Sequence, residues 1–281
     1  MTSLLIENEG HVRSLVLARP ERLNAITAGL RDELGAALAD AERDDTVKVV
    51  LLRAEGRAFC AGFELDSSTT AQSTEGGGRV WDSVADLAMI STYARTWALL
   101  HEIPKPTIAA VHGWCVAGGT DMILNADIII AAESARFGYP PARVWGTPEA
   151  PWVWVARMGL ERAKRYLFTG DEISGAEAAA MGMVLECVPD DELVERAMGL
   201  ARRMALLPAN QLRMMKLLTN QVAEEMYVPS ASRTLGCLFD GVARHTQEGL
   251  DFVERAAQQG FRAAVRARDA PFEDYGERAR Q

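Results

Sequence analysis

Three short apolar runs constrain this chain more than any other feature: Val47–Leu52, Thr107–Val111 and Ile128–Ala132. Each is long enough for a strand and far short of the roughly 18 residues a membrane helix needs. They read as continuous rather than alternating, which predicts strands covered on both faces. Helical patterns lie between them. Ala28–Arg43 places Leu30, Leu34, Ala37, Leu38 and Ala41 at helical spacing, with Thr27 as N-cap. Val80–His101 reads as a second, long helix. Such alternation predicts a parallel sheet with right-handed crossovers, an α/β fold. Leu4–Glu7 and Val12–Ala18, on either side of Glu9-Gly10, predict a hairpin ahead of it.

Beyond Leu160 helix dominates, over Ser174–Met181, Asp191–Leu206, Pro208–Ala223, Ser230–Arg244 and Gln247–Arg266, with one short strand at Val184–Cys187. The pattern divides the chain into a core, 1–204, and a helical C-terminal region, 205–281. Leu235, Leu238, Phe239, Leu250, Phe252 and Val253 of that region must cover the core or a neighbouring subunit. Asp66–Arg79, with Gly76-Gly77-Gly78, reads either as a solvated loop or as a lid over a substrate.

Charge narrows the partners. A formal net charge of -9 argues against a nucleic-acid binder and against attraction to an anionic membrane. Met1–Gly10 carries two acids and no basic cluster before an apolar run, so no signal peptide is expected. Cys60, Cys115, Cys187 and Cys237 form no Cys-x-x-Cys pair and read as reduced thiols of a cytoplasmic protein. His11, His101, His112 and His245 show no metal-ligand spacing, so no metal site is expected.

The G-x-S-x-G elbow, the G-x-x-x-x-G-K-[ST] loop and G-x-G-x-x-G are all missing, which weakens hydrolase, kinase and dehydrogenase readings. Two other segments stand out, Ala58–Leu65 and Lys105–Asp121. Each runs from a strand into small residues, which let backbone approach a ligand closely. A helix starting near Gly119 would present free N–H groups to an anion. Gly62, Gly118 and Gly119 could equally be turn glycines on spacing alone.

With these segments in view, the chain resembles the enoyl-CoA hydratase/isomerase (crotonase) superfamily over nearly its whole length. Arg19–Ala25, Ala135–Gly138, Phe168-Thr169-Gly170 and Ala178–Val184 carry the likeness together with both segments. The resemblance implies a crotonase-like ββα spiral core with a helical C-terminal trimerisation region, and homotrimers or hexamers. It implies an acyl-CoA thioester substrate, CoA being part of the substrate rather than a cofactor. It assigns an oxyanion hole to the N–H groups of Phe63 and Gly118. It assigns acyl-CoA contacts to Arg22, Leu23 and Ala25 and to Ala61, Gly62, Phe63, Glu64 and Leu65.

Hydratases of this family use two glutamates. Asp121 stands at the first position, three residues after Gly118 and on the same helical face. Its alternative role is to satisfy the helix dipole. Pro141 stands at the second position and cannot titrate. Glu149, eight residues on, is the candidate replacement or else a solvated loop glutamate. Tyr139 and His112 are expected to be hydrogen-bonded structural groups. Trp114, Trp145, Trp152 and Trp154 line an acyl pocket or fill the core. The leading expectation is an enzyme, a lyase or isomerase that hydrates or isomerises an enoyl-CoA, with Asp121 as main acid–base group and Glu149 assisting. The alternatives are a dienoyl-CoA isomerase or a hydrolase or dehalogenase-like branch using both carboxylates, and a non-catalytic acyl-CoA binder.

Overall fold

The computed structural model describes residues 2–64 and 82–272. The loop expected at Asp66–Arg79, the start of the Val80–His101 helix and the CoA contact expected at Leu65 lie outside the described residues. In chain order the elements are β1 (Leu4–Glu9), β2 (Val12–Leu17), α1 (Ala28–Arg43), β3 (Val49–Ala54), β4 (Ala58–Cys60) and α2 (Ser83–Glu102). There follow β5 (Thr107–Val111), β6 (Trp114–Val116), α3 (Gly118–Leu124), β7 (Ile128–Ala132) and β8 (Arg136–Gly138). Next come α4 (Pro151–Met158), α5 (Leu160–Thr169), β9 (Ile173–Ser174), α6 (Gly175–Ala180) and β10 (Glu186–Val188). The chain closes with α7 (Leu193–Ala205), α8 (Ala209–Tyr227), α9 (Pro229–Ala243), α10 (Gln247–Gln259) and α11 (Phe261–Asp269).

The strands form two sheets. The larger has the order β1-β2-β3-β5-β7-β10, antiparallel at the β1–β2 hairpin and parallel from there on. Its inner strands send alternate residues to opposite faces. Val49, Leu51, Ile108, Ala110, Ile130 and Ala132 meet the Leu193, Ala197, Ala201 and Ala205 stripe of α7. Val50, Leu52, Ala109, Val111, Ile129 and Ala131 join the main core on the other side. Both faces are covered, and that is why the three apolar runs carry no polar alternation.

The second sheet, β4-β6-β8-β9, was not anticipated as a sheet. Its strands are two or three residues long, too short for a periodic signal. It matters more to the site than the large sheet does. β4 and β6 pair in parallel and end side by side where the two small-residue segments begin.

Local signals account for several helix ends. Thr27 Oγ1 accepts the Leu30 N–H at 3.1 Å, a cap worth about 1 kcal/mol. Ser174 and Glu177 close a reciprocal capping box on α6. The single helix expected over Gln247–Arg266 is two, because Gly260 at φ +85° ends α10 and turns the chain back. α11 then packs on α10, with Phe252 and Phe261 edge to face at 6.0 Å. The C-terminal helices are fastened to the core by a buried charge: Lys216 Nζ lies 2.8 Å from Asp127 Oδ2 and donates to the Leu100 carbonyl at 3.0 Å. Among the described residues no helix is long and apolar enough to cross a membrane.

Candidate active site

The first wall is the turn after β2. Pro20–Arg22 forms one 3-10 turn, and Leu23 and Asn24 then adopt φ of +52° and +51°. Two successive non-glycine residues in the left-handed region are strained, and the surroundings must hold them there. Buried Asn24 does so. Its Nδ2 donates to the Glu55 and Ala58 carbonyls, both at 2.9 Å, and its Oδ1 accepts the Arg19 N–H at 2.8 Å. The turn is thereby locked onto the chain entering β4. Ala61 N–H donates to Leu23 O at 3.0 Å, Ile26 N–H to Gly62 O at 2.8 Å and Glu64 N–H to Ile26 O at 2.9 Å. Arg22 and Glu64 add an ion pair at 2.8 Å, and the Arg22 hydrogen bond holds the Glu64 carboxyl below its ordinary range.

The second wall is the β6–α3 junction. Ala117 sits at φ +54° and gives its N–H to the Gly138 carbonyl at 2.9 Å. Thr120 Oγ1 donates to the Cys115 carbonyl at 2.6 Å, pinning the first turn of α3 to β6. The two walls press closely on each other, through the Phe63 ring at Gly118 and through backbone at Gly119. A Cβ on Gly118 would lie 2.5 Å from Phe63 Cε2, and one on Gly119 would lie 2.8 Å from the Cys60 carbonyl oxygen. Glycine is required at both positions by this approach. Among the described residues neither the Phe63 nor the Gly118 N–H has a hydrogen-bond partner.

Between the walls and the C-terminal helices lies a cavity of about 1070 Å³. Leu23, Ala61, Phe63, Glu64, Ala117 and Glu149 contribute to its lining, and so do Pro141, Trp114 and Trp145. Arg22, Ala25, Gly62, Gly118 and Asp121 are not part of the lining; Asp121 and Gly118 are buried, and Arg22 is exposed.

Two carboxylates are brought together here, Glu149 in the lining and Asp121 against its backbone. Asp121 is fully buried, with Oδ1 accepting Trp154 Nε1–H at 2.8 Å and Oδ2 accepting the Glu149 N–H at 3.2 Å. Burial pushes its carboxyl up to about 7, against the opposing pull of these two donors. Glu149 is 2 % exposed and lines the cavity, and its Oε2 has no hydrogen-bond partner. Burial first, and then the charge of Asp121, raise it well above the ordinary carboxylate range. Trp97 Nε1 faces Glu149 without reaching hydrogen-bond geometry, so it offsets little of this. The pair holds at least one proton near neutral pH, and the oxygen without a partner, Glu149 Oε2, is itself buried.

The sequence motifs are thus brought together, but the two carboxylates differ in reach: Asp121 is behind the wall and Glu149 is at it. Tyr139 Oη donates to the Thr147 carbonyl at 2.7 Å, and the His112 ring bonds the Gly56 carbonyl at 2.8 Å, the structural roles expected of them. Trp154 is core, yet it also holds Asp121, a role its place in a Trp-rich stretch did not reveal. Asp240 of α9 and Arg244, its C-cap, also line the cavity and were not anticipated. The one available signal was an aspartate set between Phe239 and Gly241 in the apolar second half of the helix, after Thr234. Among the described residues no group of three or more His, Cys, Asp or Glu is arranged to hold a metal ion.

Two sheets, a glycine-rich junction at the start of a short helix and a helical C-terminal cover define a crotonase-type fold. The structure superimposes on an enoyl-CoA hydratase from Mycobacterium smegmatis with a TM-score of 0.90, at 42% identity, over 98% of this chain and 95% of that one. It superimposes on an enoyl-CoA hydratase/isomerase from Xanthobacter autotrophicus Py2 with a TM-score of 0.87, at 30% identity, over 96% and 98% of the two chains. The chain is also 32% identical over 218 residues to the 1,2-epoxyphenylacetyl-CoA isomerase of Escherichia coli (strain K12), covering 77% of this chain and 81% of that one. The enoyl-CoA hydratase/isomerase family model matches residues 7–260, and the chain belongs to that family.

Proposed function

We propose that this protein acts on a 2-enoyl-CoA thioester, moving a proton at Cα while the Phe63 and Gly118 N–H groups hold the enolate oxygen. The observation that carries the reading is that Phe63 and Glu149 line one cavity, with the Phe63 N–H and the adjoining Gly118 N–H both unused and one Glu149 oxygen free of hydrogen bonds. A thioester enolate places negative charge on oxygen. One donor aimed at such an oxygen is commonly worth about 3–4 kcal/mol in the transition state. A carboxyl raised by burial exchanges its proton near neutral pH, which suits acid–base work at carbon.

Glu149 takes the role at Cα, because it lines the cavity and Asp121 does not. Asp121 supports it from behind through the Glu149 N–H and through their shared charge. Leu23, Ala61 and Glu64 would hold the CoA portion along the first wall, with Arg22, Ala25 and Gly62 fixing that stretch of backbone. The net reaction is hydration or double-bond migration. The coupled Asp121–Glu149 pair also suits a dienoyl-CoA isomerase. The exposed apolar residues of α8, among them Met214, Leu218 and Met226, support assembly into trimers through the C-terminal helices.

Mass spectrometry of products from a panel of enoyl- and dienoyl-CoA esters tests this reading. Gain of one water marks hydration, and unchanged mass with a moved double bond marks isomerisation. Release of the free acid would favour the hydrolytic branch, and tight binding without product would favour a non-catalytic binder.

A further inference from the structure

Pro141 leaves the cavity without the carboxylate that family resemblance assigns to that position. The structure brings another one to the same place from the far end of the chain. α9 passes behind Gly146, and Asp240 reaches from it into the lining that also holds Pro141, Trp145 and Glu149. A Cβ built on Gly146 would meet Asp240 Oδ1 at 3.0 Å and Pro141 Cβ at 3.0 Å. The carboxylate and the proline ring therefore press on one point, and glycine at 146 leaves them room.

Two contacts fix Asp240. Thr147 N–H donates to its Oδ1 at 3.3 Å, and Arg244 Nε lies 3.7 Å from its Oδ2. Arg244 is itself 3.3 Å from Asp86 on α2, and His245 is 3.5 Å from that same carboxylate. Glu149 lines the same cavity, buried and with Oε2 free of any hydrogen bond.

We propose that Asp240 is the second catalytic carboxylate of this cavity, moving the proton at the far carbon of the double bond while Glu149 serves Cα. The proposal rests on the enoyl-CoA reading above. In hydration the Asp240 carboxylate takes a proton from a water whose oxygen bonds to Cβ. The pair of the C=C bond moves towards the thioester oxygen, and protonated Glu149 returns a proton to Cα. The product has gained one water, and the proton left on Asp240 passes back to Glu149 through solvent. In double-bond migration Asp240 serves Cγ in the same way. Burial lifts the Asp240 carboxyl to about 6 against the pull of Arg244, so both of its protonation states are available near neutral pH. Its charge in turn raises Glu149, Asp121 and Tyr139.

The test separates exchange from turnover in the full-length chain. Exchange of Cα protons of a saturated acyl-CoA with D2O needs Glu149 and the N–H pair. Conversion of the matching enoyl-CoA needs the second carboxylate as well. Asp240→Asn should lower conversion by about 10²–10⁴-fold and exchange far less, and Asp240→Glu should recover part of the conversion. Gly146→Ala, which sets a methyl 3.0 Å from Asp240 Oδ1, should show the same split and serves if Asp240→Asn does not fold. Unchanged conversion, or conversion and exchange falling together, would overturn the role of Asp240. A wild-type protein with neither exchange nor conversion would overturn the enoyl-CoA reading itself.

Discussion

Gly118→Ala perturbs the contact between the two walls. The new methyl would lie 2.5 Å from Phe63 Cε2 and 3.0 Å from Phe63 Cδ2 and Ile26 Cδ1. Ordinary carbon contacts are about 3.5–4.0 Å, so the Phe63 ring must withdraw by about 1 Å. It has little freedom to do so. The ring stands edge to face on Tyr93 at 5.1 Å, and its backbone is clamped through Gly62 O and Glu64 N–H to Ile26. Overpacking of this kind costs about 1–3 kcal/mol of stability. The backbone of residue 63 shares the displacement, and a donor moved by a fraction of an ångström no longer meets the enolate oxygen. The expected result is a fall in kcat of about 10²–10³-fold, the loss of one oxyanion donor, with KM changed much less. Steady-state kinetics on the enoyl-CoA that turns over best, paired with a thermal melt, reads both numbers. Wild-type kcat in a folded Gly118→Ala protein would refute the oxyanion role of this junction.

Two further predictions concern Asp121. Its folded carboxyl sits at about 7 against the usual 3.8, so its contribution to stability is full below pH 4 and is lost as pH rises through 7. At about 1.4 kcal/mol per unit the loss is on the order of 4 kcal/mol, and Asp121→Asn should flatten the decline in denaturation free energy between pH 5 and 8. An unchanged slope would contradict the assignment. Trp154→Phe removes the donor 2.8 Å from Asp121 Oδ1 and should cost about 1.5–3 kcal/mol, more at pH 8 than at pH 5, because the bond favours the ionised carboxylate. Equal losses at both pH values in chemical denaturation would refute that account.

The long, periodic parts of the chain were legible from their own residues. α1 begins and ends where its apolar spacing and Thr27 place it, and β5 and β7 match their apolar runs residue for residue. The small sheet was hidden because two- and three-residue strands carry no period. The break at Gly260 was hidden because a lone glycine inside a helical pattern is often tolerated. At the site, the backbone junctions were legible because glycine there answers to a 2.5–2.8 Å approach of other atoms. The ranking of carboxylates was not. Helical spacing puts Asp121 near Gly118 but does not say which way the cavity opens. Asp240 comes to Thr147 across 93 residues of chain, a distance no local pattern spans.

The central claim is that Glu149 moves the proton at Cα of a CoA thioester held by the Phe63 and Gly118 N–H groups. Proton magnetic resonance of a saturated acyl-CoA in D2O, with wild-type protein and with Glu149→Gln, tests it most directly. The account predicts loss of the Cα proton signal with wild type and a rate about 10²–10⁴-fold lower with Glu149→Gln, with ester binding retained. Exchange at the wild-type rate in Glu149→Gln would contradict it.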